Sequence, residues 1–365
     1  MKELGLEIIK KLSENGFIAY IVGGYVRDEL LGIESNDVDI TTNAKPKEIK
    51  AIFPDCIIKS DSYGAVIIYY QNFRFDVTTM REEMEYLDSR HPSGIIYVND
   101  LKKDLLRRDF TINALCFDKD GKLIDLIGGK EDLDKRVIRT IIDSDKSFSD
   151  DALRILRAIR FASLLDFTLS SDVIEAIKNN KHLLKKLSIS RKKEELDKIF
   201  GSKKAQNGIE LIKKLDLDEE LDLVNLDRIK DYSDIVGIWA MINTDAYQFS
   251  PSEKDLIKKV NVVYEMDNLD NLVLYHYGCY VNVLAGINKG LEKKDIIAKY
   301  EALPIKRRDE INIKAIEMCE ILNREPGPFI GKLYGVIEDK IVLGELVNDN
   351  NKIKEFIVDY EKKNE

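Results

Sequence analysis

The chain is poor in the residues that build zinc sites, disulfide frameworks and histidine-based hydrolase centres. Its four cysteines are scattered and form no Cys-x-x-Cys pair, which excludes the usual spacing of a zinc site and of a disulfide framework. The three histidines form no His-Asp pair, so a histidine-rich metal hydrolase domain is absent as well. The residues concerned are Cys56, Cys116, Cys279, Cys319, His91, His182 and His276.

Long hydrophobic runs are also missing. The segment 272–287 comes closest to the length of a membrane span, but His276, Asn282 and glycines interrupt it. Residues 1–4 mix charges and do not resemble a signal peptide. We therefore expect a cytoplasmic protein with no membrane partner, and its oligomeric state stays open.

The chain has fewer basic residues than acidic residues, 57 against 66. The net charge is −9 at pH 7 and the sequence pI is about 5.2, which is unusual for a nucleic-acid binder. Because phosphate binding depends on local clusters of cations, we expect an RNA site only where several basic clusters line one concave surface. The clusters are 102–103, 107–108, 154–160, 185–186, 191–193, 203–204 and 306–308.

The length and the pattern of apolar residues predict more than one domain. A chain of 365 residues is too long for one compact core. Residues 1 to about 140 mix helical and strand patterns, which predicts an α+β domain with a small sheet. From Phe148 onward strand patterns fade and helices are predicted. The predicted helices are 155–165, 173–180, 194–200, 208–215 and 310–322, and the predicted loops are 243–251 and 267–271.

A Gly-Gly turn follows the first predicted strand. Residues 17–22 are apolar, and the residues after Gly24 have a helical pattern. Gly23 and Gly24 allow backbone N–H groups to approach an anion, and Arg27 lies one turn into the helix. We interpret the turn as a triphosphate site, although such a turn by itself is equally an ordinary strand-to-helix connection.

Two carboxylates come soon after this turn. Asp37 and Asp39 are two residues apart on a predicted strand, so both point to one face while Val38 points to the core. Adjacent carboxylates repel each other unless a cation lies between them. Mg²⁺ usually binds one or two carboxylates together with substrate phosphates. The pair therefore predicts a catalytic magnesium site, and the alternative is an acidic turn or helix cap.

Asp76 lies on a third alternating strand, 73–79. Two interpretations of it stay level. It is either a third catalytic carboxylate, as a metal ligand or as the general base for an attacking hydroxyl, or a strand residue that faces solvent.

Segment 104–114 joins charged residues to an apolar run. Arg108 is predicted to contact phosphate and Asp109 a ribose hydroxyl. The alternative is a salt-bridged helix start.

A predicted helix near 149–161 carries an acidic residue and three arginines at intervals of three. Ser149 and the aspartates after it also suit an ordinary helix start. Three arginines in a row on one face, however, repel one another without an anion. The members of this predicted polar stripe are Asp151, Arg154, Arg157 and Arg160.

The spacing of an acidic acceptor and a basic donor suggests base selection. Cytosine and adenine both present an amine donor beside a ring-nitrogen acceptor, whereas guanine and uracil present the reverse. Asp151 with Arg154 matches the first pattern and leaves buried groups unpaired with the second, which is a strong source of discrimination. We therefore predict selection of CTP and ATP, with Arg157 and Arg160 as phosphate or stacking contacts.

The segments described above, taken in their order along the chain, resemble the family of tRNA nucleotidyltransferases and bacterial poly(A) polymerases. The resemblance is to the class of this family that is found in bacteria and eukaryotes. The resemblance covers about the first 200 residues. The segments 22–39, 107–114, 125–133 and 150–154 resemble the family's metal, ribose, hinge and base-selecting motifs, and Asn113 belongs to the second of these. The segment 80–92, with Tyr86, Asp88 and Arg90, is similar to its flexible loop. Asp150 stands where the family usually has Glu, and Ser190 departs from its last neck motif.

The resemblance implies a polymerase-beta-like catalytic head at 1–140, a helical neck for base selection at 141–200, a helical body at 201–300 and a helical, tRNA-contacting tail at 301–365. It implies template-independent, Mg²⁺-dependent addition of CCA from CTP and ATP to the 3′ end of tRNA. Asp37 and Asp39 then hold the ions of a two-metal, in-line displacement.

Alternatives remain within and outside this family. A poly(A) polymerase or a partial enzyme that adds only CC or only A has the same motifs. From other classes, a non-catalytic RNA-binding module has no reason to keep paired carboxylates, and an antibiotic-modifying nucleotidyltransferase lacks the Asp-x-x-Arg helix.

Overall fold

The computed structural model describes residues 1–84 and 93–364, and the chain divides into two compact units, Met1–Asp222 and Leu223–Glu365. In the first unit the helices are α1 (Lys2–Glu14), α2 (Gly24–Leu30), α3 (Pro46–Ile52), α4 (Leu101–Leu106), α5 (Gly129–Lys135), α6 (Ser144–Asp150), α7 (Leu153–Leu165), α8 (Ser171–Asn180), α9 (Ile189–Phe200) and α10 (Ala205–Lys214). Its strands are β1 (Ala19–Val22), β2 (Val38–Thr42), β3 (Ile57–Ser60), β4 (Ala65–Tyr70), β5 (Phe73–Thr79), β6 (Arg81–Glu83), β7 (Ile95–Tyr97), β8 (Cys116–Phe117), β9 (Leu123–Ile124), β10 (Val137–Ile138) and β11 (Thr168–Leu169). Short 3-10 turns occupy Thr111–Asn113 and Lys181–Lys186.

A mixed sheet organises the predicted α+β head. Seven of the strands in the described ranges form it, in the order β3-β4-β5-β2-β1-β8-β9. The pair β2–β5 is parallel and the other pairs are antiparallel. Within this sheet Asp39 of β2 lies between Val22 of β1 and Asp76 of β5. The register therefore brings two of the predicted catalytic carboxylates side by side.

The packing of α1 explains which face of the sheet is left for chemistry. Ile9 and Leu12 of α1 and Ile40 of β2 are completely buried. Gly5 allows α1 to approach the sheet closely, since a Cβ there would lie 2.8 Å from Ile21 Cδ1. Asp39, next to Ile40, points to the opposite face, as alternation along a strand requires.

Helices continue after the head, with one exception to the sequence prediction. The prediction that strand structure ends near residue 140 is wrong at Thr168–Leu169, where β11 pairs in parallel with β10. A strand of two residues is too short to show an alternating pattern, so the sequence carries no signal for it. The chain turns at Gly201, between the end of α9 and the start of α10.

The second unit is helical over its described residues. It contains α11 (Ile235–Ile242), α12 (Pro251–Glu265), α13 (Asn271–Asn288), α14 (Lys293–Glu301), α15 (Ala315–Leu322), α16 (Phe329–Val342) and α17 (Asn350–Asn364), with 3-10 turns at Leu226–Arg228 and Arg308–Glu310. Its core includes Leu274, Ile337 and Ile353, which are fully buried. Both predicted loops are confirmed, but the helix predicted from residue 310 begins at Ala315.

Across the described ranges, none of the helices combines the length and the apolar character needed to cross a bilayer. The division into head, neck, body and tail at residues 140, 200 and 300 stays a prediction.

Candidate active site

A polar pocket of about 650 Å³ lies in the first unit. It is lined by the turn after β1, the start of β2, the segment after α4 and the first turns of α7. Of the site residues predicted from sequence, all except Asp76 line it: Gly23, Gly24, Arg27, Asp37, Asp39, Arg108, Asp109, Asn113, Asp151, Arg154, Arg157 and Arg160. Residues more than a hundred positions apart in the chain therefore meet around one cavity.

The glycine turn lies against both a carboxylate and a guanidinium. Gly23 has a φ of 86°, a conformation that favours glycine. A Cβ on Gly23 would lie 3.5 Å from Asp39 Oδ2 and 3.7 Å from Arg108 Nη1. Arg27 is buried and donates hydrogen bonds to Asn113 Oδ1 and to the Asp28 carboxylate, which hold its guanidinium at the pocket wall.

Three carboxylates crowd the neighbouring strands. Asp37 lies immediately before β2, and Asp39 on β2 is the cross-strand partner of Asp76. Burial, with added repulsion from Asp37 and Asp76, raises the pKa of Asp39 to about 6, although Arg108 opposes the shift. A partly buried carboxylate held against its neighbours in this way is stabilised by a cation.

The carboxylates at this pocket fit a Mg²⁺ ion that is bound by protein and substrate oxygens together. Within the described residues, no group of three or more His, Cys, Asp or Glu side chains forms a complete metal cage. Mg²⁺ does not need one, because it usually binds one or two carboxylates together with phosphate oxygens and water. Asp37 and Asp39 supply such carboxylates at the pocket that the glycine turn also lines.

Asp76 lies just outside this pocket. Its carboxylate accepts a hydrogen bond from Arg74 at 2.7 Å and lies 3.6 Å from Lys59 Nζ. It is next to Asp39 in the sheet, yet it is not part of the pocket lining. The predicted choice between metal ligand, general base and solvent-facing residue stays open.

The helix start predicted at Ser149 is wrong. Ser149 lies near the end of α6, and α7 begins at Leu153. Asp151 lies between the two helices, where its Oδ1 accepts a hydrogen bond from the Leu153 N–H. Asp151 therefore precedes α7, whose N-cap is Ala152, and is not part of a polar stripe on that helix.

Arg154 is held in place by the protein. It is buried and donates hydrogen bonds to Ser147 Oγ at 2.9 Å and to the Arg107 carbonyl at 2.7 Å. Asp151 is partly buried, and this burial raises its pKa. Both side chains line the pocket, so the acceptor and donor predicted to select the base are present there with their orientations set by neighbouring groups.

The other two arginines of α7 meet carboxylates of the protein. Arg157 donates to Asp109 Oδ2, and Arg160 lies 3.1 Å from Glu195 Oε2. The guanidinium groups of Arg157 and Arg160 also lie over the ring of Phe161. The expected repulsion among these arginines is therefore relieved by carboxylates from other segments, which the local sequence does not reveal.

Asp109 is engaged at both oxygens. Its Oδ1 accepts hydrogen bonds from the Phe110 N–H and Asn113 Nδ2, and its Oδ2 accepts two from Arg157. Burial alone would raise its pKa, but Arg157 and these hydrogen bonds lower it to about 2. The ribose contact predicted for Asp109 would need one of these partners to move, and it stays a prediction. The helix-start alternative for this segment is wrong, because α4 ends at Leu106.

Asp104 is an organising residue that sequence reasoning missed. It is fully buried and accepts hydrogen bonds from Arg107, Arg108, the Arg81 N–H and Thr41 Oγ1. Burial would raise its pKa, but Arg107 and Arg108 outweigh that effect and lower it. In the sequence Asp104 looks like one more charged residue of a short helix, and only its burial distinguishes it.

The positively charged side chains that line the pocket, among its described residues, are all arginines. Eight arginines line it, and no lysine is among its described lining residues, although the chain contains 57 lysines and arginines together. Arginine binds phosphate oxygens through two parallel N–H groups, whereas lysine binds as a point charge. Lining residues that the sequence analysis did not assign to the site are Tyr63, Arg81, Glu83, Arg107, Leu153, Phe161 and Arg191.

The predicted hinge at 125–133 lies within the described residues, whereas part of the predicted flexible loop does not. Tyr86, Asp88 and Arg90 of the predicted flexible loop, and His91, lie outside the described residues. At the predicted hinge, Asp125 accepts hydrogen bonds from four consecutive backbone N–H groups at 127–130. These bonds hold the backbone at the start of α5 in place.

Three family models match successive parts of the chain. The model described as "Poly A polymerase head domain" matches residues 19–139. The model described as "Probable RNA and SrmB- binding site of polymerase A" matches residues 166–221. The model described as "tRNA nucleotidyltransferase domain 2 putative" matches residues 245–357.

Relatives and a solved structure agree over nearly the full chain. A CCA-adding enzyme of Lactococcus lactis subsp. cremoris is 34% identical over 94% of this chain and 92% of its own length. A CCA-adding enzyme of Bacillus subtilis is 33% identical, with 96% of each chain covered. The crystal structure of the Bacillus stearothermophilus CCA-adding enzyme in complex with CTP has a TM-score of 0.84 and 27% identity, and covers 99% of this chain and 98% of that one.

Proposed function

Because the chain belongs to the family of CCA-adding enzymes, we propose that it adds C and A residues, taken from CTP and ATP, to the 3′ end of tRNA without a template. One observation supports this most directly. The glycine turn, Asp37, Asp39 and eight arginines line a single pocket. A triphosphate with a bound cation needs such a combination of carboxylates and guanidinium groups.

The phosphates of the nucleotide are held at the Gly23 end of the pocket in this proposal. Backbone N–H groups of the turn approach them without hindrance from a Cβ. Arg27 and Arg108 are fixed by Asn113 and Asp104, so binding the anion does not require these arginines to give up much conformational freedom. This end of the site therefore orients the α-phosphate for attack.

Asp37 and Asp39 are the residues that would hold magnesium, and magnesium there would lower the pKa of the attacking hydroxyl and neutralise charge on the departing pyrophosphate. Asp39 contributes a carboxylate whose ionised form is destabilised by burial and by Asp37 and Asp76. Asp76 is the candidate to accept the proton of the attacking hydroxyl, because it is beside Asp39 and partly exposed.

Asp151 and Arg154 select the base in this proposal. Asp151 is oriented by its bond to the Leu153 N–H, and Arg154 by Ser147 and the Arg107 carbonyl. A preset acceptor and donor match the Watson–Crick edges of cytosine and adenine. With uracil or guanine both protein groups lose their partners in a buried site, which is costly.

The test is to incubate the purified protein with tRNA lacking its 3′ end and with each nucleotide, alone and combined, and to size the products. We expect a three-residue extension with CTP plus ATP, Mg²⁺ as the required ion, and no extension with UTP or GTP. A long A tail would indicate a poly(A) polymerase, and a product short of CCA would indicate a partial enzyme. If no labelled nucleotide is transferred, the chain is a non-catalytic RNA-binding module. We also propose a cytoplasmic location, since tRNA is the substrate.

A further inference from the structure

We propose that a surface formed by Lys59, Tyr69 and Arg74, here called the outer surface, binds the single-stranded 3′ end of the RNA primer and leads it to Asp76. This proposal rests on the proposed function, since it concerns the second substrate of the same site. None of the three residues lines the nucleotide pocket. They belong to β3, β4 and β5, at one edge of the sheet.

Asp39 lies on β2, and the two strands that flank β2 lead to different parts of the site. On one side is β1, whose Val22 pairs with Asp39 and leads directly into Gly23. On the other side is β5, whose Asp76 pairs with Asp39, followed by β4 and β3 toward the edge. The proposed triphosphate site is therefore on the β1 side, and the outer surface is on the β5 side.

The reaction geometry assigns the primer to the β5 side. In an in-line displacement the attacking oxygen and the leaving oxygen lie on opposite sides of the α-phosphorus. Under the proposed function the leaving pyrophosphate lies at the glycine turn, where a Cβ on Gly23 would be 3.7 Å from Arg108 Nη1. The 3′ hydroxyl must then arrive from the side of Asp76, and the nucleotides behind it must cross the strands beyond β5.

The three residues share one face with Asp76. Tyr69 and Arg74 are direct cross-strand partners on β4 and β5. Arg74 donates a hydrogen bond to Asp76 Oδ2 at 2.7 Å, and Lys59 Nζ lies 3.6 Å from Asp76 Oδ1. The outer surface is thus continuous with the catalytic carboxylates and does not form a separate patch.

The chemistry of this surface suits a single-stranded RNA end. Tyr69 is 56% exposed, and the side chains of Lys59 and Arg74 are 52% and 51% exposed, so all three are accessible. Exposed aromatic rings stack on bases of any sequence, and neighbouring cations bind the backbone phosphates. Lys59 and Arg74 share the single Asp76 carboxylate, so these three side chains together carry one net positive charge.

The opposite face of the same strands supplies a matched control. Phe73 and Tyr70 are cross-strand partners on that face, where the Tyr70 hydroxyl donates a hydrogen bond to Glu7 of α1. Phe73 is 45% exposed, close to the value for Tyr69, but it points away from Asp76. Phe73→Ala therefore removes a similar exposed ring from the other side of the sheet.

The kinetic test compares Tyr69→Ala, Tyr69→Phe and Phe73→Ala with the wild type, using truncated tRNA and CTP. Because stacking on one aromatic ring is worth a factor of about ten in binding, we expect Tyr69→Ala to raise the KM for tRNA about ten-fold. Tyr69→Phe keeps the ring and Phe73→Ala lies on the other face, so both should retain the wild-type value. The KM for CTP should stay unchanged in all three. An unaltered KM for tRNA in Tyr69→Ala, or an equal rise in the KM for CTP, overturns the proposal.

A second measurement needs no catalysis. Truncated tRNA with a photoreactive 4-thiouridine next to its 3′ terminus is irradiated with the wild-type protein in the absence of nucleotide, and the cross-linked peptides are identified by mass spectrometry. We expect cross-links within β3–β5, and cross-links confined to other segments overturn the proposal. If the wild type transfers no nucleotide at all, the proposed function fails while this result still decides where the RNA end binds.

Discussion

Replacing Asp39 by asparagine should remove activity and at the same time stabilise the protein. The carboxylate is partly buried beside Asp37 and Asp76, and its pKa is raised to about 6 from an ordinary value of 3.8. A raised carboxyl pKa means that the ionised form is less stable in the folded chain than in the unfolded chain. Asparagine keeps the size of the side chain and removes this cost.

The magnitude and its pH window follow from the same values. A shift of about two pKa units corresponds to about 3 kcal/mol, and we expect a gain between about 1 and 3 kcal/mol in the free energy of unfolding. The penalty is absent below about pH 4, where the group is protonated in both states, and complete above about pH 6. The wild type should therefore lose stability relative to the variant as the pH rises through this range.

The assay is urea-induced unfolding of the full chain in EDTA, at about pH 4.5 and about pH 8. Added Mg²⁺ should then stabilise the wild type and leave Asp39→Asn unchanged, because ligands stabilise only the state that binds them. Nucleotide incorporation should be lost in the variant at both pH values. Asp120→Asn, which changes an exposed carboxylate in a turn of the same unit, should show none of these effects.

Three results would each refute a part of this reasoning. Equal stability of wild type and variant at about pH 8 would mean that the carboxylate carries no penalty from burial and repulsion. A gain that does not depend on pH would mean that asparagine stabilises the fold through hydrogen bonds or packing. Retained incorporation in Asp39→Asn would remove Asp39 from the catalytic assignment.

Three further changes test other parts of the site. Gly129→Ala should destabilise the first unit by several kcal/mol, since its Cβ would lie 2.2 Å from the Thr111 carbonyl oxygen, and thermal unfolding measures the loss. Arg154→Ala should weaken the preference for CTP and ATP over UTP in competition assays, and an unchanged preference would mean that the base is read elsewhere. Asp109→Asn should cost about 2 kcal/mol at neutral pH, because the pKa of Asp109 is lowered to about 2 beside Arg157. That difference is present above about pH 4 and should vanish as the pH falls through about 2, so a constant difference would contradict it.

The local chemistry of the site could be predicted from the sequence, because it depends on residues that are only a few positions apart. The turn at Gly23 and the alternation around Asp39 each need only a few neighbouring residues, and the structure brings both to one pocket. The predicted sheet and helical segments likewise follow from apolar periods of two and of 3.6 residues. Misplaced helix ends, such as that at Ser149, arise because an Asp or Ser near a boundary suits more than one capping position.

Ion pairs and hydrogen bonds between residues far apart in the chain could not be predicted from the sequence. The charge of Arg157 is balanced by Asp109, and that of Arg160 by Glu195, through contacts that no local pattern announces. Asp104 joins β2, β6 and the segment after α4 only because these elements pack around it. Such residues acquire their role from burial, which is a property of the packed chain.

The amino-acid sequence by itself determined which chemical groups are available and which of them are close along the backbone: a glycine turn, paired carboxylates, and an acidic residue before a run of arginines. Only the tertiary structure decided that Asp76 lies beside Asp39 and outside the pocket, and that the arginines of α7 have protein partners. The reason is physical. Spacing along a strand or helix fixes direction over a few residues, whereas strand order and side-chain burial depend on how distant segments pack.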